Sequence, residues 1–394
     1  MARRLQADKW LFASAAGLAL FGVVMVFSAS AVMAMKENGN PYYYVIKQGI
    51  WTVIGFGAMI FAMQFDYQRL RKRRIVYGLL GLTVVMLLAV FIFPQVNGAH
   101  RWIKFAGFSI QPSEGAKLAL AIFLAYFLEK HAGEERLFFR TFLPCLVATG
   151  VLALMVVREP DLGTALMLAV LCLVLTFVAG VRLVHLGLVA APAVIGVVWL
   201  SIHTPWRFQR LLTFMDPWAY RQGSGFQAVQ SLVAVGSGGL HGLGFAQGRQ
   251  KMFFLPYAHS DFIFAVIGEE LGLVGALLVV LAFCLFLWRG VRAALLAPDR
   301  FGMLLGLGIV SAIVVQALFN ISVVLSLLPT KGIPLPFISY GGSSLVPALF
   351  SVGILLNISQ HAGSVGEGKG RRREASKDAR GIESFSEARS IRTR

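Results

Sequence analysis

Long apolar runs dominate this chain, and short polar connections interrupt them at near-regular intervals. A helix that crosses a bilayer needs about 20 mostly apolar residues. On that rule the pattern predicts spans over Trp10–Met33, Val45–Phe65, Ile75–Phe93, Gly115–Leu128, Phe142–Val157, Leu162–Gly180, Leu183–Ile202, Phe262–Trp288, Gly302–Leu328 and Ser344–Ile358. The first run follows Arg3, Arg4 and Lys9 but is too long for a signal peptide, and many more spans follow it. The fold class is therefore an all-α polytopic integral membrane protein of about ten transmembrane helices.

The polar connections alternate in charge. One set holds Arg3-Arg4, Arg69 to Arg74, Lys130 with Arg136 and Arg140, Arg182, and Arg289 with Arg292 and Arg300, and it ends in the basic tail. Short loops rich in Lys and Arg stay cytoplasmic, so both termini are expected inside. The other set faces outward: Met35–Tyr44, Pro94–Pro112, Arg158–Asp161, His203–Ser260 and Pro329–Ser343. The stretch His203–Ser260 makes a large extracytoplasmic loop between helices 7 and 8. Structureless loops of such length are uncommon, and its aromatic and apolar residues (Trp206, Phe208, Leu211, Leu212, Phe214, Trp218) predict a segment lying at the interface. The tail His361–Arg394 lacks apolar periodicity and reads as a disordered cytoplasmic extension, which divides the chain into 1–360 and 361–394.

Composition agrees with this picture. Of the 394 residues 57% are hydrophobic and only 14% charged, too few charges to cover a soluble domain of this size. The net charge of +17 is concentrated between apolar segments and in the tail, a mark of membrane topology rather than of nucleic-acid binding. Cys145, Cys172 and Cys284 each lie inside an apolar run, without the spacing of a disulfide framework or a metal site.

Ionisable residues at the mouth of apolar segments cost free energy and are functional candidates by default. Asp261 stands where the long loop meets the next helix, two residues after His259. Spacing alone leaves it evenly divided between an N-cap and a general base acting on a hydroxyl. Glu269 lies about 12 Å further along the same helix, next to Glu270. Adjacent acids face different directions, so at most one can line a cavity, and an ion pair or interhelical hydrogen bond is the simpler role for the other. Glu114 and Lys117 share one helix face after Gln111-Pro112-Ser113, and a mutual ion pair is the plain account. Arg101 and Lys104 flank Trp102 on the outward side, against the positive-inside bias, and ask for an anionic partner such as a diphosphate or a lipid. Asp161 reads as an N-cap, with Gly163 and Thr164 allowing close contact. The run from Leu328 to Ser344, with Ser339 in its centre, holds three prolines and three glycines and predicts irregular backbone beside a cavity. There Lys331 is either a phosphate ligand or a side chain snorkelling to the interface. The Gly236–Gly244 run follows no strand, so close packing or a hinge suits it better than nucleotide binding.

These segments, taken together, resemble the SEDS family (shape, elongation, division and sporulation) from the first helix to about residue 360. The resemblance is carried by Ala99-His100-Arg101-Trp102-Ile103, Gln111-Pro112-Ser113-Glu114, Glu159 to Ala165, Phe226-Gln227 to Gly239, Leu255 to Gly272 and Pro329 to Ser344. Pro329-Thr330-Lys331-Gly332 and Gly248-Arg249-Gln250-Lys251 look more like the division branch than the elongation branch. The resemblance implies a peptidoglycan glycosyltransferase, polymerising lipid II on the outer face of the cytoplasmic membrane during septal wall synthesis. It implies catalysis by Asp261 and places the family's membrane-facing Glu and Lys of the fourth helix on Glu114 and Lys117, as substrate-binding residues. The reading of the residues themselves adds Arg101, His259 and Lys331 as candidates for substrate binding and Asp161, Glu269 and Ser339 as supports. Two departures stand out: Tyr257 occupies a position where the family usually has an acid, and Ser260 replaces a common Thr. Any role of that neighbouring acid is therefore in doubt here.

The expected partners are lipid II, the nascent glycan, a class B penicillin-binding transpeptidase and other division proteins, with no nucleic acid. The sequence demands no cofactor or protein-bound metal, although a divalent cation (Mg2+ or Mn2+) suits diphosphate chemistry. Two rival classes stay open at this level, a lipid II flippase or other transporter and a non-catalytic division scaffold. Transporters usually carry internal repeats, and none is evident.

Overall fold

The computed structural model describes residues 7–95, 99–105, 108–252 and 254–361. Arg3 and Arg4, and the tail expected beyond His361, lie outside the described residues. In chain order the helices are α1 (Lys9–Asn38), α2 (Tyr43–Gln64), α3 (Arg73–Ala89), α4 (Pro112–Lys130), α5 (Leu143–Arg158), α6 (Leu162–Ala179), α7 (Leu183–His203), α8 (Pro205–Met215), α9 (Phe226–Ser237), α10 (Ile263–Leu295), α11 (Arg300–Val324) and α12 (Gly342–His361). One short antiparallel hairpin pairs β1 (Ile103–Phe105) with β2 (Phe108–Ile110) just before α4.

Among the described residues nine helices are long and apolar enough to span a bilayer. The tenth predicted span is α4, which carries Glu114, Lys117, Glu129 and Lys130. Its charge is compatible with the bundle because α4 sits inside it, against α3, α6 and α11, with Leu120, Ile122 and Leu124 buried. A helix shielded by neighbours need not be apolar all round, because protein groups rather than lipid meet its polar side chains. By contrast α7 buries no residue and touches little besides α6 and α8.

The loop expected between helices 7 and 8 is not structureless. It holds α8 and α9, and α9 packs on α10 and α11. The glycine-rich run after α9 crosses α10 at close range, as its composition suggested. Leu243 and Gly244 donate to the carbonyls of Glu269 and Glu270, and Leu273 donates back to Gly239, each at 2.9–3.0 Å. Gly272 breaks α10 at that crossing with φ 64°, a left-handed conformation that glycine adopts without steric cost.

The connections sort to two ends. At one end Arg289 pairs with Asp8 (2.6 Å), Arg71 with Glu129 (2.9 Å) and Arg300 with Glu135 (2.7 Å). Tyr67 donates to Asp299 at 2.9 Å, and its backbone N–H to Asn357 at 3.0 Å. These are the basic loops of the sequence, gathered on one face. The opposite end collects the hairpin, the start of α6, α8, and the segments ending at Asp261 and Tyr340.

Candidate active site

That opposite end encloses a cavity of ≈ 370 Å³. Its wall brings together Arg101, Trp102 and Glu114, then Asp161, Trp206 and Arg210, and finally Asp261, Lys331 and Tyr340. Residues distant in sequence meet here because the segment between α11 and α12 does not loop out. It folds inward, burying Leu335, Phe337 and Ile338 in the bundle. Irregular backbone at such depth must have its polar groups satisfied by protein. Asn320 of α11 supplies part of that, donating to the carbonyls of Asp261 (2.8 Å) and Ile333 (2.7 Å). Ser339 supplies more: its hydroxyl accepts from Leu335 N–H (2.7 Å) and donates to the Ser260 carbonyl (2.6 Å). Gln48 of α2 donates to Ser339 O and accepts from Gly341 N–H. The segment carrying Asp261 is thereby clamped to the one carrying Lys331.

Asp261 is half-buried and does not enter α10 as its N-cap; Phe262 occupies that position and no side chain caps the helix. Burial pushes its carboxyl up to about 6, against the opposing pull of Arg101 and of Ser260. The carboxylate lies on the backbone of Gly332, where a methyl group would sit 2.5 Å from Oδ2. Asp161 does cap its helix, accepting from Thr164 N–H (3.2 Å) and Thr164 Oγ1 (2.7 Å). It also pairs with Lys331 at 3.1 Å. Burial acts to raise Asp161, but Lys331, Arg101 and Thr164 together hold it below its usual value. Lys331 is pushed down to about 8, first by burial, with Arg101 and Arg210 adding repulsion and Asp161 opposing. Gly163 leaves the space that the Lys331 and Ile333 side chains occupy. Arg101 is anchored by two hydrogen bonds to the carbonyls of Glu159 (3.1 Å) and Pro160 (2.6 Å). Glu159 itself is fully buried with both carboxylate oxygens unpaired, and burial followed by repulsion from Asp161 raises it to about 8.

Glu114 and Lys117 form the expected pair at 2.8 Å, buried within the bundle rather than facing lipid. Lys117 also donates to Gln316, whose amide donates to the Pro334 carbonyl at 2.9 Å. Glu114 is the meeting point of the main cavity and a small inner one of ≈ 40 Å³ between α4, α11 and α12. A third hollow of ≈ 420 Å³, lined mainly by apolar residues of α2, α3, α4 and α12, shares Gln111 and Ser343 with the main cavity.

Two sequence candidates stand elsewhere. His259 is buried between the rings of Tyr44 (4.8 Å) and Tyr340 (5.5 Å), with Nδ1 unpaired, and does not line the cavity. Burial drives it down to about 4, so it is neutral near pH 7. Glu269 turns away from the cavity and accepts from the backbone N–H groups of Arg249 (2.7 Å) and Gln250 (3.1 Å). Its neighbour Glu270 takes the ion pair, with Lys251 at 2.6 Å and Ser28 beside it. Neither acid lines a cavity, because both are spent on holding the long loop to α10.

Sequence reasoning did not single out Arg210, Asn320 or Gln316, and it met Gln227 only within a family motif, with no role. Arg210 had a discoverable signal, a cation on an outward amphipathic helix; Asn320 and Gln316 were lone polar residues in an apolar run. The described residues group no three His, Cys, Asp or Glu side chains that could ligate an ion. Of the cavity's carboxylates, Asp161 is paired with Lys331 and Glu114 with Lys117.

Comparison with known proteins is consistent with this arrangement. The model of the FtsW/RodA/SpoVE family, described as cell cycle proteins, matches residues 8–364. A probable peptidoglycan glycosyltransferase FtsW of Geobacter metallireducens is 44% identical over 357 residues, covering 89% of this chain and 94% of that protein. The stage V sporulation protein E of Bacillus subtilis is 43% identical over 349 residues, covering 88% and 94%. Among solved structures, a chain of a peptidoglycan synthase complex that coordinates polymerization and crosslinking superposes with a TM-score of 0.75 at 28% identity, covering 91% of this chain and 99% of that one. The rod shape determining protein RodA of Thermus thermophilus gives 0.67 at 26% identity, covering 91% and 98%. A bundle of this topology matched over nearly its whole length leaves one assignment: the chain is a multi-span membrane protein of the FtsW/RodA/SpoVE family of cell cycle proteins.

Proposed function

We propose that this chain is a peptidoglycan glycosyltransferase that polymerises lipid II at the outer face of the cytoplasmic membrane. The observation that carries the reading is one cavity holding a half-buried carboxylate, Asp261, beside three cations, Arg101, Arg210 and Lys331, and joined to an apolar hollow within the bundle. Lipid II joins a sugar head to an apolar polyprenyl tail through a diphosphate, and the carboxylate, the cations and the apolar hollow suit its three parts. Asp261 takes the proton of the acceptor sugar's 4-hydroxyl as that oxygen attacks the anomeric carbon of the donor. The new C–O bond forms as the bond from that carbon to the diphosphate breaks, and the electron pair leaves with the diphosphate. Arg101, Arg210 and Lys331 stabilise the departing charge. With its pKa at about 6, Asp261 is mostly ionised near pH 7 yet basic enough to accept a proton.

In this reading the basic face of the bundle is cytoplasmic, both termini lie inside, and residues 361–394 form a basic tail. In the same reading a cognate class B transpeptidase crosslinks the product at the division septum, in keeping with a family described as cell cycle proteins. The test is polymerisation of fluorescent lipid II by the purified chain with its transpeptidase, wild type against Asp261→Asn. Polymer from the wild type and none from the variant is expected. Equal polymer from both would remove Asp261 from the chemistry, and lipid translocation without polymer would favour a flippase.

A further inference from the structure

We infer that α8 and the start of α9 form a saccharide subsite, in which Trp206 is the platform for a pyranose ring of the acceptor glycan. This inference rests on the glycosyltransferase reading and assigns the Trp206, Trp102 and Gln227 wall of the same cavity.

Trp206, Trp102 and Gln227 line the cavity together, on three separate segments. Trp206 is 44% exposed, a large indole left in the open at the wall of a polar cavity. Neither indole N–H nor the Gln227 amide makes a hydrogen bond among the described residues. Two of the cavity's cations are anchored, Arg101 to two backbone carbonyls and Lys331 to Asp161. The cavity wall therefore carries two kinds of group: cations and carboxylates, already paired or anchored, and planar aromatic and amide groups, which are not.

A pyranose ring is amphipathic, with one face of C–H groups and a rim of hydroxyls. An aromatic ring covers the first while N–H donors and an amide meet the second. A diphosphate offers no apolar face, and a polyprenyl chain offers no hydroxyls, so neither uses this combination as well.

Trp206 is also braced. The guanidiniums of Arg207 and Arg210 lie 4.8 and 5.3 Å from its ring centroid. Arg210 reaches on to the Thr330 carbonyl (3.4 Å), next to Lys331, and Thr213 bonds Ser224 at 2.6 Å across the turn that leads to α9. The helix thus ties its platform, through Arg210, to the segment that carries Lys331. A sugar stacked there lies on the same cavity wall as Asp261.

The experiment uses the full chain in nanodiscs with its transpeptidase. Binding of chitotetraose, a soluble saccharide without lipid or phosphate, is read by saturation-transfer NMR, and binding of inorganic pyrophosphate by competition with lipid II. Trp206→Ala is expected to weaken chitotetraose by roughly tenfold, the size of one aromatic stacking contact, and to leave pyrophosphate unchanged. Trp206→Phe should restore most of the saccharide binding. Unchanged chitotetraose binding in Trp206→Ala overturns the subsite, and so does an equal loss of both ligands, which would make α8 only a support. Failure of the wild type to polymerise lipid II would count against the glycosyltransferase reading, and the saccharide arm is read independently of it.

Discussion

The side-chain amide of Asn320 donates to the carbonyl of Asp261 at 2.8 Å and, with the same nitrogen, to that of Ile333 at 2.7 Å. One residue of α11 therefore sets the distance between the carboxylate and the Lys331 loop. Asn320→Ala leaves two buried carbonyls without that donor, each costing about 1–3 kcal/mol if nothing replaces it. A lowered thermal midpoint in detergent is expected, with polymerisation falling further than the loss of folded protein explains. Rates normalised to folded protein check this, and an unchanged normalised rate would show that the clamp does not position Asp261.

Gly332 gives a sharper probe of the same geometry. A methyl group there would lie 2.5 Å from Asp261 Oδ2, inside contact distance, so one of the two must move. Gly332→Ala is expected to fold normally but to lose roughly a hundredfold in kcat, the scale of an ångström-level misplacement of a reacting group. Circular dichroism and lipid II turnover on one preparation separate the two effects.

The pH profile follows from two displaced groups. Asp261 at about 6 must be ionised to accept a proton, so activity rises as pH passes upward through 6. Lys331 at about 8 must be charged to hold diphosphate, so activity falls as pH passes upward through 8. A bell with limbs near those values is expected. Lys331→Arg, charged throughout, should remove the alkaline limb; an alkaline limb that persists in this variant would assign it to another group.

Lys251 of the long loop and Glu270 of α10 form a nearly dry pair at 2.6 Å, and Ser28 of α1 accepts from Lys251 at 3.0 Å and donates to Glu270 at 2.7 Å. Removing only the cation by Lys251→Met leaves a buried carboxylate uncompensated, a loss of about 3–5 kcal/mol. Lys251→Met with Glu270→Gln should recover much of it. Thermal unfolding of the wild type, the two single variants and the double variant measures this, and additivity of the two single losses would mean that the pair is not coupled.

Much of this was legible in the chain. Span count and loop alternation follow from the cost of putting polar backbone and charge into hydrocarbon, a local property that a window of about 20 residues reports. Asp161 as a cap and Glu114 with Lys117 as a pair were also local, at spacings of three residues. The candidacy of Asp261 rested on its place between polar loop and apolar helix, but spacing left cap and base equal. The structure assigns the capping position to Phe262 and leaves the carboxylate on the cavity wall.

What the sequence could not decide was which polar residues meet. His259, two residues from Asp261, packs between Tyr44 and Tyr340 instead of joining the cavity, while Arg210 and Lys331, distant from it in the chain, stand on its wall. Glu269 and Glu270 look like candidates by composition and are consumed by the loop they hold. Membrane insertion is settled by the solvent each segment prefers, and the sequence alone determines it. The site is settled by the inward fold of the segment from Pro329 to Ser339 and by the clamps of Asn320 and Ser339. Those are contacts between distant residues, and only the tertiary structure decides them.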